Sequence, residues 1–187
     1  MPQWHYVFLP GHAMEGPFDE YMFVSLYTRH RQPLLKGDEA KHLLLNKLGE
    51  TKRQFHLVIA AYVFLDDHVH LLFTSPPRNE CSAIVNSLRA AFQREMRRAG
   101  HLGDETQSQV WEHGMKVCAI RTKEELRDHL DFIHYDPVRH GLAERAGDYR
   151  WSSLGKRMAE GHYPHDWAEL APPAGVARVL KSLALAQ

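Results

Sequence analysis

The chain has 187 residues, 44% of them hydrophobic and 25% charged, which is room for one compact domain with a real core and too little for two. Its 23 basic and 23 acidic residues cancel, so net charge announces no nucleic-acid binder, and any polyanion must be held by local clusters of arginine. Cys81 and Cys118 fall in no ligand-like spacing and read as buried reduced thiols; without a leader-like N-terminus or a run near the ~18 apolar residues of a membrane span, the expected protein is soluble and cytoplasmic.

In chain order, Leu9 to Asp19 is rich in proline and glycine and reads as an irregular arm. Tyr21 to Tyr27 is dense in β-branched and aromatic residues and predicts a first strand. Asp38 is placed to cap a helix carrying Leu43, Leu44, Leu45 and Leu48 that ends near Gly49. Leu57 to Leu65 is apolar on both strand faces, the pattern of a central strand covered on both sides. Asp66 and Asp67 turn the chain into a return strand from His68 to Phe73. A long helix follows from Cys81 to Arg98, with Ile84, Leu88, Phe92 and Met96 at burial spacing. Val110 to Val117 predicts a strand interrupted by Gly114. Thr122-Lys123-Glu124-Glu125 is a capping box, and the helix behind it is expected to stop at Pro137. Strand, helix, two strands, helix, strand, helix is an α+β plan: a ferredoxin-like antiparallel sheet with helices on one face and an added C-terminal helix. Residues 1–187 form one domain in this reading, with an arm at 1–20, a core at 21–145 and an extension at 146–187. A plan of this kind carries no chemistry of its own.

Side chains alternate along a strand, so His68 and His70 project from one face with Cα atoms roughly 6.5–7 Å apart. Two neutral imidazoles converging there are a pair of ligands for a divalent cation, although among 14 histidines such a pair is equally compatible with ordinary strand residues. On the last helix, at about 100° per residue, Leu126, Leu130 and Ile133 share the stripe that faces the sheet. His129, Phe132 and Asp136 flank that stripe, and Tyr135 lies nearly opposite. A carboxylate at Asp136 completes a His-His-Asp set suited to Mg²⁺ or Mn²⁺; alternatively Asp136 does no more than begin the turn before Pro137.

The run Leu65-Asp66-Asp67-His68-Val69-His70 resembles the HUH motif, two histidines flanking a hydrophobic residue on a strand. Asp131-Phe132-Ile133-His134-Tyr135-Asp136-Pro137-Val138-Arg139-His140-Gly141-Leu142 resembles the tyrosine-helix motif of REP-associated tyrosine transposases, in which a tyrosine is followed after three residues by Asn-Pro-Val-Lys-His-Gly. Trp111-Glu112-His113 and Tyr163-Pro164-His165-Asp166-Trp167 also fit that family's pattern, so the resemblance spans about residues 21 to 168.

The resemblance implies a single-strand DNA transposase acting on a folded hairpin with an adjoining unpaired tetranucleotide. His68, His70 and Asp136, the last where the family usually has asparagine, would hold Mg²⁺ or Mn²⁺ at the scissile phosphate. A helix tyrosine would attack phosphorus, leaving a 5′-phosphotyrosine and a free 3′-hydroxyl, so that strand transfer needs no ATP. At the nucleophile position, however, this chain has Phe132, which has no hydroxyl. Three readings are open: a tyrosine replaced to trap a complex, a natural inactive relative, or a register in which Tyr135 is the nucleophile, against which the helix angle counts. Two rival functions follow, a non-catalytic hairpin-DNA-binding protein of the same fold and a metal-dependent phosphoesterase that uses water. Arg89, Arg94, Arg97, Arg98, Arg139, Arg145, Arg150 and Arg157 are candidate phosphate contacts, without an assignment. Trp4, Tyr6 and Trp151 are candidate stacking residues that fit core or surface roles better.

Overall fold

A computed structural model describes residues 21–74, 79–102 and 109–185; the arm from Leu9 to Asp19, with Trp4 and Tyr6, lies outside them. Four antiparallel strands, β1 (Tyr21–Tyr27), β2 (Val58–Phe64), β3 (His68–Thr74) and β4 (Lys116–Ile120), form one sheet in the order β2-β3-β1-β4, the ferredoxin-like arrangement. Helices α1 (Asp38–Phe55) and α2 (Cys81–Arg98) pack against each other, while α3 (Lys123–Arg139) lies over β2 and β3 on the histidine face. Every residue of β3 is buried, as a central strand covered on both faces must be. Phe23, Phe64, Phe73 and Phe92 fill the core between these layers.

Several expectations are corrected. β2 is an edge strand, not a central one. Its two apolar faces report burial of those faces, and its open edge is partly closed by Trp151–Ser153: Phe64 N–H donates to the Trp151 carbonyl and Ser153 N–H to that of Tyr62, both at 3.0 Å. α1 runs six residues past Gly49, because one exposed-side glycine costs only about 1 kcal/mol while the next turn still packs Thr51 inward. Asp38 is inside the first turn rather than the cap, and its carboxylate instead accepts from Trp151 Nε1 at 2.9 Å. The expected strand from Val110 is split: Trp111 bridges Thr28, and β4 begins only at Lys116 after Gly114 takes a φ of +85°, which glycine adopts at little cost.

Thr122 does cap α3, accepting from Glu125 N–H at 3.0 Å, while the Glu125 carboxylate accepts from Arg121 N–H at 2.8 Å. α3 passes through Pro137 to Arg139. Proline this close to a helix end removes one hydrogen bond and leaves the following carbonyls satisfied, since His140 N–H donates to Asp136 and Leu142 N–H to Pro137. Beyond α3, where no elements are anticipated from the sequence, the chain forms α4 (Leu154–Ala159) and α5 (Ala174–Leu185). α5 lies along α3, where Arg178 grips Asp128 through Nε and Nη2 at 2.6 and 2.5 Å. Tyr163 and Trp167 close on the His134 ring with centroids 5.1 and 6.4 Å away. α3 is therefore covered on both sides, which is why Tyr135, expected to point away, is half-buried against the core.

Candidate active site

Strand alternation delivers His68 and His70 to the α3 side of the sheet, and each is 2% exposed. Asp136, one helical turn beyond Phe132, is 1% exposed, and its Oδ2 lies 3.3 Å from the Nε2 atoms of both histidines. Adjacent ligands of a six-coordinate ion with bonds of about 2.1 Å are about 3.0 Å apart, so Asp136 stands close to coordination spacing from each histidine.

Each imidazole is oriented from behind. His68 Nδ1 meets Asp67 Oδ1 at 2.5 Å, and His70 Nδ1 meets Ser25 Oγ at 2.8 Å, Ser25 being the register partner of His70 across β1 and β3. A carboxylate only accepts, so Nδ1 of His68 carries a proton and Nε2 is the atom turned toward Asp136. The 3.3 Å between Nε2 and Asp136 Oδ2 can be bridged by an N–H proton, as a hydrogen bond, or by a cation bound to both. The residues present thus fit a divalent cation.

Burial by itself would raise the pKa of Asp136, but hydrogen bonds from His68 and His70 and the charges of His70 and Arg139 outweigh it and hold the carboxyl well below the usual range. Burial pushes His70 down, opposed by Asp136. Asp136 Oδ1 accepts from Arg139 Nε at 2.7 Å, and Arg139 Nη2 lies 2.6 Å from His140 Nε2. His140, whose pKa is also lowered chiefly by burial, stacks edge-on to His68 with centroids 4.9 Å apart.

Phe132 is 1% exposed and enters the same face. Its ring centroid is 5.2 Å from that of His70, and the Arg139 guanidinium lies 5.7 Å from it. Tyr27 borders the site from β1, its ring 5.7 Å from His68 with Arg31 stacked over it at 4.3 Å.

The structure brings His68, His70, Phe132 and Asp136 together and leaves Tyr135 outside the group. Four neighbours escape the sequence reading: Asp67, Ser25, Tyr27 and His140. His140 was findable, being four residues beyond Asp136 on the same helical line; Ser25 and Tyr27 depend on strand register. Most of the candidate phosphate-binding arginines have intramolecular work. Arg89 donates to the Glu112 and Gly114 carbonyls, Arg145 pairs with Glu169, Arg150 with Asp38, and Arg157 donates to the Ala60 carbonyl. Arg94, Arg97 and Arg98 are exposed on α2. Trp151 is buried and tied to Asp38, a core role.

With a ferredoxin-like sheet, a histidine pair on a central strand and a helix carboxylate above it, the chain belongs to the IS200-like transposase family, whose pattern matches residues 20–135. It is 29% identical over 146 residues to the REP-associated tyrosine transposase of Escherichia coli strain K12, covering 78% of this chain and 83% of that one. A Haemophilus influenzae protein assigned to the same group is 28% identical over 143 residues, covering 70% of this chain and 81% of the relative. A solved REP-associated tyrosine transposase bound to a REP hairpin superposes with a TM-score of 0.69 at 26% identity, over 80% of this chain and 86% of the other. Among the described residues no helix is long and apolar enough to cross a membrane.

Proposed function

We propose that this chain binds single-stranded DNA folded into a REP-like hairpin, holds the phosphate to be cut at a site made by His68, His70 and Asp136, and lacks only the hydroxyl that would cut it. The observation that carries this reading is the placement of Phe132 beside His70, one turn before the Asp136 carboxylate shared by both histidines. The hairpin bound to the solved relative supports the choice of DNA.

His68, His70 and Asp136 would hold Mg²⁺ or Mn²⁺, which when bound supplies positive charge to the non-bridging phosphate oxygens. Asp67 and Ser25 keep the two imidazoles turned toward that position, and Arg139 neutralises the far oxygen of Asp136. In the cleavage reaction a tyrosine oxygen bonds to phosphorus, the bond from phosphorus to the 3′-oxygen breaks, and that oxygen takes a proton. Phe132 offers no oxygen, and Tyr135, half-buried on α3, stands outside the group of His68, His70 and Asp136. The site as it stands therefore positions a phosphodiester and forms no 5′-phosphotyrosine. Residues 21–145 serve as the binding and catalytic core, and the extension from residue 146 braces α3 from behind through α5.

Fluorescence anisotropy with labelled stem-loop DNA bearing a single-stranded flank tests the first part. Tight binding that weakens as salt rises is expected, because phosphate contacts release counterions. A fully paired duplex of the same sequence bound equally well would overturn the proposal.

A further inference from the structure

His140 is not among the residues needed to hold a cation in the proposed function, yet its geometry is that of a ligand. His68, Asp136 and His140 each offer a donor atom within 4.8 Å of the others, a set that shares two members with the His68, His70 and Asp136 group. His140 Nε2 stands 3.7 Å from Asp136 Oδ1.

The state of that nitrogen can be read from its neighbour. A guanidinium has no acceptor, so Arg139 Nη2 donates to His140 Nε2, which must present its lone pair; the same guanidinium donates through Nε to Asp136 Oδ1. Arg139 thus bridges an imidazole lone pair and a carboxylate oxygen, the position a metal ion takes between two ligands. Its side chain is 31% exposed and free at its outer edge to swing away, while Asp136 is pinned by the two strand histidines.

We propose that His140 is a further ligand of the site, taking the place of Arg139 at Asp136 when the ion binds, and that the resulting three imidazoles and one carboxylate select Mn²⁺ over Mg²⁺. Imidazole nitrogen suits first-row transition metals, whereas Mg²⁺ takes oxygen and gives up its waters reluctantly. Two histidines and one carboxylate would discriminate less. The inference rests on the proposed metal site and extends it.

The test is calorimetric titration of the full chain with MnCl₂ and with MgCl₂, repeated for His140→Ala, Arg139→Gln and the His68→Ala, His70→Ala double variant. The unmodified chain should bind Mn²⁺ at least about tenfold more tightly than Mg²⁺, and His140→Ala should weaken Mn²⁺ about tenfold with Mg²⁺ changed less than about twofold. Arg139→Gln should leave Mn²⁺ binding equal or tighter, since a competing cation is gone. Pulsed electron paramagnetic resonance of bound Mn²⁺ should count three coupled imidazole nitrogens, and two in His140→Ala. If the double variant loses Mn²⁺ while His140→Ala binds and couples as the unmodified chain does, the role of His140 is overturned and the His68, His70, Asp136 site stands. If the unmodified chain binds no Mn²⁺, the proposed site falls and this inference with it. His140 is at the exposed end of α3, so its removal does not open the core.

Discussion

Replacing Phe132 by tyrosine adds one oxygen to a ring that is 1% exposed and stands 5.2 Å from His70 and 6.0 Å from Phe23, centroid to centroid. The ring itself keeps its packing, so the structural question is whether the new hydroxyl finds a partner. Left unpaired it would cost about 1–3 kcal/mol. At about 2–4 °C per kcal/mol for a chain of this size, that lowers the melting temperature by roughly 2–12 °C, and less if the hydroxyl pairs with a site histidine or accepts from Arg139. The functional change is larger in kind: an oxygen appears on the face that carries His68, His70 and Asp136. Labelled hairpin DNA incubated with the Phe132→Tyr protein and Mn²⁺ should give a protein–DNA band that survives denaturing electrophoresis, and the unmodified chain should give none. The reasoning is refuted if Phe132→Tyr stays folded, binds the hairpin and yields no adduct. It is equally refuted if the unmodified chain forms an adduct that Tyr135→Phe abolishes.

Two further outcomes follow from how α3 is buried. Burial and the nearby Arg157 charge lower the pKa of His134 to about 3, so below pH 6.5 the unfolded chain takes a proton that the folded chain refuses. Stability is unaffected by this group above pH 6.5 and falls as pH drops toward 3, by about 3 kcal/mol at pH 4.5; urea unfolding at pH 7 and 4.5 should show that loss reduced by a similar amount in His134→Gln, and equal losses in the two proteins would contradict it. Gly175→Ala places a Cβ 2.8 Å from the Asp128 Cα where α5 meets α3, closer than backbone tolerates, and should cost about 1–3 kcal/mol in thermal unfolding; an unchanged melting temperature would show that α5 is not seated there.

The sequence by itself determined what depends on short-range periodicity. Strand alternation put His68 and His70 on one face, and 100° per residue put Phe132 and Asp136 on one side of α3, because both relations follow from backbone geometry within a single element. The absence of a hydroxyl at Phe132 is likewise a property of the sequence alone. Tertiary structure decided the rest. Ser25 meets His70 through strand register, 45 residues apart, and no local pattern encodes which residue faces which across a ladder. β2 looks central because burial of two faces reads the same at an edge as in the middle, and only the packing of Trp151–Ser153 along it distinguishes them. Tyr135 lies opposite the sheet by angle yet is half-buried, and α5, a segment distant in the chain, packs along α3. The passage of α3 through Pro137 was decided by packing on both sides of the helix; once it continues, Arg139 and His140 reach Asp136 by local helical spacing.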